Sequence, residues 1–402
     1  MVAISLQDSG VYCDHEVCCS LVFALVQRPA QPAVDAAFTK FWSADSPEAA
    51  QRASVDIERS GVSFDNALRR LKAGRTYRPA TGGIVPGKNR TADGVEHFYS
   101  VNLPANYNPA KKYQVRFQLH GGVGGRTDNQ PRGKGDIGNL AGAEQIYVLP
   151  YAWDTKPWWS DDQVMNLAAI VDSLKRSYNV DENRVVVAGV SDGATGAYYI
   201  AMRDTTPYAN FLILNGYIMV LSNEEIDDGR VYPNNLRAKP FFVVNGGKDR
   251  LYPIRNVEPY TKYLMSSGVE IDYHPQPEGE HNTAWWPEIK GPFEAFVAAH
   301  PRDPYPDKLS WKASDIAHAR SHWLVIDRFG SFRGESSFDD INFIPVSNAA
   351  VFDATSGKLF DEKRNAGRVD LARKGNTIEA QTQGVTNSRC SSHPISSISI
   401  SP

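Results

Sequence analysis

The chain has 402 residues, a formal net charge of −3, 42% apolar residues and 22% charged residues. That balance suits a globular chain with a sizeable core and, by length, roughly two to three domains. It lacks the basic excess of a nucleic-acid binder, and no apolar run reaches the ~18 residues of a membrane span.

At the start, Val17–Val26 reads "VCCSLVFALV", the length of a signal-peptide core, and "QRPAQPA" after it offers small residues for cleavage. Asp8, Asp14 and Glu16 stand where a basic lead should be. Residues 1–32 therefore read either as a secretory signal or as a disordered start, and a secreted, periplasmic or cytoplasmic location stays open. The four cysteines, Cys13, Cys18, Cys19 and Cys390, leave the body of the chain without disulfides.

Residues 33–78 read as a helical lead-in. In "SFDNALRRLKAG", Ser63 occupies the N-cap, basic residues close the helix and Gly74 stops it. From 79 to 305 the pattern changes. "GIVPGKNR" and "VEHFYSVNLP" flank the turn "TADG" and predict an antiparallel pair. Strand-like runs then alternate with helical ones: "YQVRFQLH", "QIYVLPY", "DDQVMNLAAIVDSLKRSY", "RVVVAGV", "TGAYYIAMRD", "FLILNG", "PFFVVNGG", "VEPYTKYLMSSG", "VEIDYHP" and "WPEIKGPFEAFVAAH". Such alternation predicts a mainly parallel central sheet with helices on both faces. "PRDPYPDKLSW" reads as a Pro-rich linker. Residues 306–385, with "SHWLVIDRF", "NAAVFDATSG" and "GRVDLARKGNTIEAQTQGV", read as a small β-rich appendage. The Ser-rich tail, 386–402, reads as disorder or a last irregular strand.

Gly189-Val190-Ser191-Asp192-Gly193 is a G-x-S-x-G between a buried strand and a helix, the context that gives the motif meaning. A tight turn lifts the hydroxyl clear of the sheet edge, and the helix start offers amides to a developing oxyanion. Serine needs a base and the base an orienting acid, in the order Ser, Asp or Glu, His. Asp249, in "NGGKDRLYP", and His281, in "PEGEHNT", each follow a strand on the rim that carries Ser191. Asp249 also suits a plain turn. Asp227 and Asp228 read as solvated, and His274 as a strand residue. "HGGVGG", His120–Gly125, offers backbone donors after an early strand, with His120 as a structural hydrogen-bonder; no Gly-Lys-Ser/Thr follows to make it a phosphate loop. Trp158, Trp159 and Trp285, with Tyr151, Trp153 and Trp286 nearby, read either as aromatic walls of a substrate pocket or as packing above the sheet.

The set "HGG", "GVSDG", "GGKD" and "GEHN", in this order over residues 113–300, resembles the α/β-hydrolase superfamily. More narrowly it is similar to serine esterases of the poly(3-hydroxybutyrate)-depolymerase, feruloyl-esterase and esterase-D-like groups. The resemblance implies an α/β-hydrolase fold and a Ser191–His281–Asp249 triad; the helical lead-in and the small β-rich C-terminal appendage depart from the family's minimal pattern. It also implies an oxyanion hole from Asp192, Gly121 and Gly122, and carboxylic-ester hydrolysis through an acyl-enzyme. No metal or organic cofactor and no nucleic-acid partner are implied; the partner is a small-molecule or polymer-linked ester. Two alternatives stand beside it: a serine peptidase of the prolyl-oligopeptidase type, which lacks its usual propeller here, and a non-catalytic binding protein on the same fold. Catalysis is expected to reside in about 33–306.

Overall fold

The computed structural model describes residues 2–4, 31–127, 137–223, 226, 229–332, 336, 338–343, 360, 365–375, 377–391 and 397–400. The candidate signal run, Cys13, Cys18, Cys19, Asp227, Asp228 and "NAAVFDATSG" lie outside them. The chain divides into two compact units, one of 7–78 with 176–178 and one of the remainder. The smaller unit holds three helices, α1 (Gln31–Trp42), α2 (Pro47–Arg59) and α3 (Phe64–Ala73). The Ser63 hydroxyl caps α3 by accepting from the Asn66 amide at 3.4 Å, and Gly74 ends it at φ +72°. These are the cap and stop that the sequence places there.

In the larger unit, eight strands form one sheet. In chain order after the N-terminal β1 (Val2–Ile4) they are β2 (Gly83–Arg90), β3 (Glu96–Leu103), β4 (Tyr113–Leu119), β5 (Ile146–Pro150), β6 (Val180–Val190), β7 (Asn210–Leu214), β8 (Phe241–Val244) and β9 (Ile271–Tyr273). The spatial order is β2-β3-β5-β4-β6-β7-β8-β9, antiparallel as far as β5 and parallel from there on. The inverted chain order of β4 and β5, with six parallel strands beside the antiparallel β2–β3 hairpin, is the α/β-hydrolase fold.

The two faces follow from the two-residue period of a strand. Val186, Ala188, Leu212, Leu214, Phe242 and Val244 turn to one side and pack with Trp286, Ile289, Phe293 and Phe296 of α7 (Trp286–Ala299). Phe211 and Phe241 turn to the other and stack, with Tyr198 of α5 (Asp192–Arg203) on Phe241 at a ring distance of 5.7 Å. Helices α4 (Asp161–Ser177) and α6 (Ile254–Ser266) complete the alternation.

The C-terminal region forms two four-stranded antiparallel sheets, from β10 (Lys308–Ala313), β11 (Arg320–Ser321), β12 (Leu324–Phe329), β13 (Gly367–Lys374), β14 (Thr377–Gln383), β15 (Val385–Ser391) and β16 (Ser397–Ile400), with β1 completing the first. Trp311, Leu324, Ile326, Val369 and Cys390 share its core. One sequence reading changes here, and of the two readings of the tail the strand is the one seen. Lys308–Trp311, read as the end of the linker, begins β10, because Leu309, Trp311 and Ala313 alternate inward. The Ser-rich tail contributes β15 and β16, with Cys390 fully buried.

This region is joined to the sheet through polar contacts that leave little slack. The Asn235 amide nitrogen donates to the carbonyls of Met202 and Lys312 at 2.8 Å, and its oxygen accepts from the Lys312 amide at 2.9 Å. Arg203, 2% exposed, pairs with both Asp161 and Asp315. Asn235→Leu strips one amide donor, that of Lys312, and two carbonyls of their partners, each worth about 1–3 kcal/mol when left unsatisfied. Chemical denaturation is expected to show a loss of roughly 2–4 kcal/mol. A loss below about 0.5 kcal/mol, the scale of a surface change, would contradict this role.

Candidate active site

Ser191 stands between β6 and α5 with φ +55° and ψ −119°, a conformation that disfavours any residue with a side chain. Neighbours hold it there. Its amide donates to the Leu214 carbonyl at 2.9 Å, and its own carbonyl accepts from Ala194 and Thr195 at 2.9 and 3.0 Å. The flanking glycines are required by contact: a Cβ on Gly189 would overlap the Gly193 carbonyl, and one on Gly193 would overlap the Leu119 carbonyl of β4.

The three residues the sequence places on this rim meet. The His281 Nε2 lies 2.8 Å from Ser191 Oγ, and its Nδ1 lies 2.6 Å from Asp249 Oδ2. The other Asp249 oxygen accepts the amides of Leu251 and Tyr252, both at 2.8 Å. The Asp249 side chain is fully enclosed, so those two amides and the imidazole carry its desolvation. Because Oδ2 can only accept, Nδ1 carries a proton and a neutral ring offers Nε2 as acceptor to the serine hydroxyl. Tyr252 stands edge-on to the ring at 5.2 Å and shields it; burial raises the pKa of its own phenol. His274 is elsewhere, stacked on Phe242 at 4.4 Å.

Asp192 is the first residue of α5, so its amide has no acceptor within the helix. Gly121 lies against the serine: a Cβ there would stand 3.0 Å from the Ser191 Cβ. Gly122, at φ +69°, opens the short turn Val123–Gly125. Asp192, Gly121 and Gly122 are the positions from which the sequence expects the oxyanion donors.

His120 supports the loop. Its Nε2 accepts from the Ala152 amide at 3.1 Å, which puts the proton on Nδ1, 3.0 Å from the Gly121 carbonyl. Burial pushes its pKa down to about 4. The Trp158 indole donates to the His120 carbonyl at 2.8 Å, and Trp158 itself is 0% exposed. Trp158 therefore departs from the pocket-wall expectation: it lies beneath the loop, against the backbone of Gly196, where a Cβ would overlap it. Trp285 is likewise buried, in the core beside α7, and Trp159 is half-buried.

Two positioning residues escape sequence reading. Asn215, buried with φ +51°, donates to the Asn282 carbonyl at 2.7 Å and accepts from the Gly246 amide at 3.2 Å. Asn245, equally buried, donates to the Gly216 carbonyl at 3.0 Å and accepts the Gln276 amide on its backbone carbonyl at 2.9 Å. Between them they tie the loops after β7, β8 and β9, and so fix His281 against Ser191. The signal is the pair of Asn-Gly dipeptides ending "FLILNG" and "PFFVVNGG".

No family model matches the chain, and no curated protein does. Solved structures do. A thermostable esterase is similar at 19% identity and a TM-score of 0.42, over 55% of this chain and 63% of that one. A putative dipeptidyl aminopeptidase IV from Bacteroides ovatus is similar at 18% and 0.44, over 55% of this chain and 36% of that one. An S-formylglutathione hydrolase from Staphylococcus aureus is similar at 14% and 0.43, over 54% and 100%. The match thus spans under two thirds of the first two proteins' own length.

The state of His120 makes a pH prediction. The unfolded chain takes up a proton there near pH 6.5, the ordinary value, whereas the folded chain holds out to about 4. Stability from the neutral ring is present above pH 6.5 and falls as pH drops through that window. Urea midpoints of His120→Gln are expected to fall less steeply between those pH values than those of the parent. Parallel curves would overturn the assignment.

Proposed function

We propose that this chain is a serine hydrolase of carboxylic esters, with Ser191 as nucleophile, His281 as general base and acid, and Asp249 as the group that orients and charges against the imidazole. The observation that carries the reading is the unbroken hydrogen-bonded line from Ser191 Oγ through His281 to the enclosed Asp249. It is supported by the strained backbone of Ser191 at a strand-to-helix corner, a feature that costs about 1–3 kcal/mol and persists where surroundings enforce it.

As Ser191 Oγ attacks the ester carbonyl, His281 Nε2 takes its proton. The carbonyl oxygen gains charge and is met by the amide of Asp192 and by the Gly121–Gly122 backbone. Asp249 stabilises the imidazolium. The tetrahedral adduct collapses, the ester C–O bond breaks, and His281 gives its proton to the departing alcohol. Water, deprotonated by the same imidazole, then attacks the acyl-enzyme and frees the acid and Ser191. Every step uses side chains and amides of this chain. A short-chain acyl ester, a phenolic ester of a carbohydrate and a polyester all meet these requirements.

Ser191→Ala and His281→Ala are each expected to lower kcat on p-nitrophenyl acetate by roughly 10⁴–10⁶-fold, with the double variant little worse than either, because members of such a unit are strongly non-additive. A fluorophosphonate is expected to label the parent at Ser191. A panel of acyl lengths with methyl ferulate ranks the ester classes, and a peptide amide run beside it separates esterase from peptidase. Unchanged turnover in Ser191→Ala would sink the reading.

A further inference from the structure

We propose that the side chain of Asp192 is a positioning residue for this reaction: its carboxylate clamps the glycine loop so that the loop amides and the Asp192 amide face one oxyanion at a set separation. The inference rests on the serine-hydrolase reading above. Its observation is a hydrogen bond from the Val123 amide to Asp192 Oδ2 at 2.7 Å, short for an amide donor and therefore charge-assisted.

The loop needs an external anchor. Of Gly121, Gly122, Val123, Gly124 and Gly125, only Val123 has a side chain, and it is 1% exposed. Glycine gives up the most backbone freedom on being fixed, so four of them beside the nucleophile would wander unless held at both ends. His120 holds the near end through the Gly121 carbonyl and the Ala152 amide. Asp192 holds the middle at Val123, and the Arg126 carbonyl, which accepts the Asp154 amide at 2.9 Å, holds the far end. Its own backbone is rigid, being the first residue of a helix buried from Gly193 to Arg203. One residue thus presents a donor on its main chain and fixes, with its side chain, the loop that carries the partner donors.

A negative group beside a developing oxyanion would oppose the reaction if its charge were free. Here the Val123 amide and the positive end of α5 face it. What the reaction requires of this side chain is an acceptor at a fixed place. Asparagine supplies the same acceptor without the charge, glutamate the charge with the acceptor displaced, and alanine neither.

The test measures kcat and KM on p-nitrophenyl acetate, inhibition by a trifluoromethyl ketone, and hydrogen exchange at the Val123 amide, in the parent, Asp192→Asn, Asp192→Ala and Asp192→Glu. Removing one oxyanion donor outright costs about 10²–10³ in kcat, and a donor on a loosened loop falls short of that. Asp192→Ala is expected to lose about 10–100-fold in kcat, scaled from that cost, with KM within about twofold. Ketone affinity should fall in step with kcat, and Val123 exchange should quicken. Asp192→Asn is expected to stay within about threefold of the parent in kcat and to keep Val123 protected. Asp192→Glu keeps the charge favoured at a helix start and is expected to follow alanine, which covers the case in which Asp192→Ala misfolds.

Parent-like kcat in Asp192→Ala or Asp192→Glu, a loss confined to KM, or an asparagine variant as impaired as alanine would each overturn the clamp. If the parent neither turns over the ester nor takes up a fluorophosphonate, the hydrolase reading fails instead, and Val123 exchange alone judges the clamp.

Discussion

The site depends on one backbone conformation. Ser191 sits at φ +55°, where an L-residue is strained, and the hydroxyl stands on the sheet's rim only because the chain turns there. The strain is opposed by three hydrogen bonds to the residue's own main chain and by the absence of side chains at Gly189 and Gly193. Gly193 needs its bare Cα because β4 is the immediate neighbour of β6, bringing the Leu119 carbonyl against the start of α5. The strand order and the serine's conformation are therefore one constraint. In a sheet that left β4 elsewhere, the corner would lack its supporting wall, and the loop from His120 to Gly125 would not arrive beside it.

A second level of order comes from buried amides. Asn215 and Asn245 use their side chains to join the loops that follow β7, β8 and β9, and each is fully buried. A polar group enclosed in this way is expensive unless satisfied, so the loops settle where the two Asn215 bonds and the Asn245 amide donor can be met. This explains how a histidine on a loop of mixed turns, 90 residues from the serine, is held at 2.8 Å. It also explains why Asp249 can be enclosed: its two amide donors come from the turn that follows it, and the third partner is placed by the asparagines.

How much of this the sequence discloses depends on how local the cause is. The alternation of strands and helices is legible because periodicity is local, and so is the corner at Ser191, whose glycines are sequence neighbours. Asp249 and His281 are legible because each follows a strand on the same rim. Trp158 is not: a tryptophan after a central strand reads equally as wall or support, and only its packing on the bare Cα of Gly196, where a side chain would collide with it, decides it. Lys308–Trp311 is hidden by nearby prolines, which resemble a linker although the Leu-x-Trp-x-Ala alternation is that of a strand. The two asparagines are hidden for a different reason. An Asn-Gly at a strand end reads as turn chemistry, and nothing local says that the side chain will bridge to another loop.

Helix α5 connects these levels. Every residue from Gly193 to Arg203 is buried, so the helix has no solvent face, and its small and aromatic residues are chosen for packing on all sides. Its first turn holds the serine corner. Its last residue, Arg203, makes a bidentate pair with Asp161 and reaches Asp315 of the C-terminal region, while the carbonyl of Met202 takes the Asn235 amide. A buried ion pair of this kind is weak evidence of added stability, because desolvation offsets much of the attraction. Its geometric consequence is firmer: the charge cannot be left unpaired, so the carboxylates must be where they are. The C-terminal β region is thus tied to the far end of the same helix whose near end bears the serine.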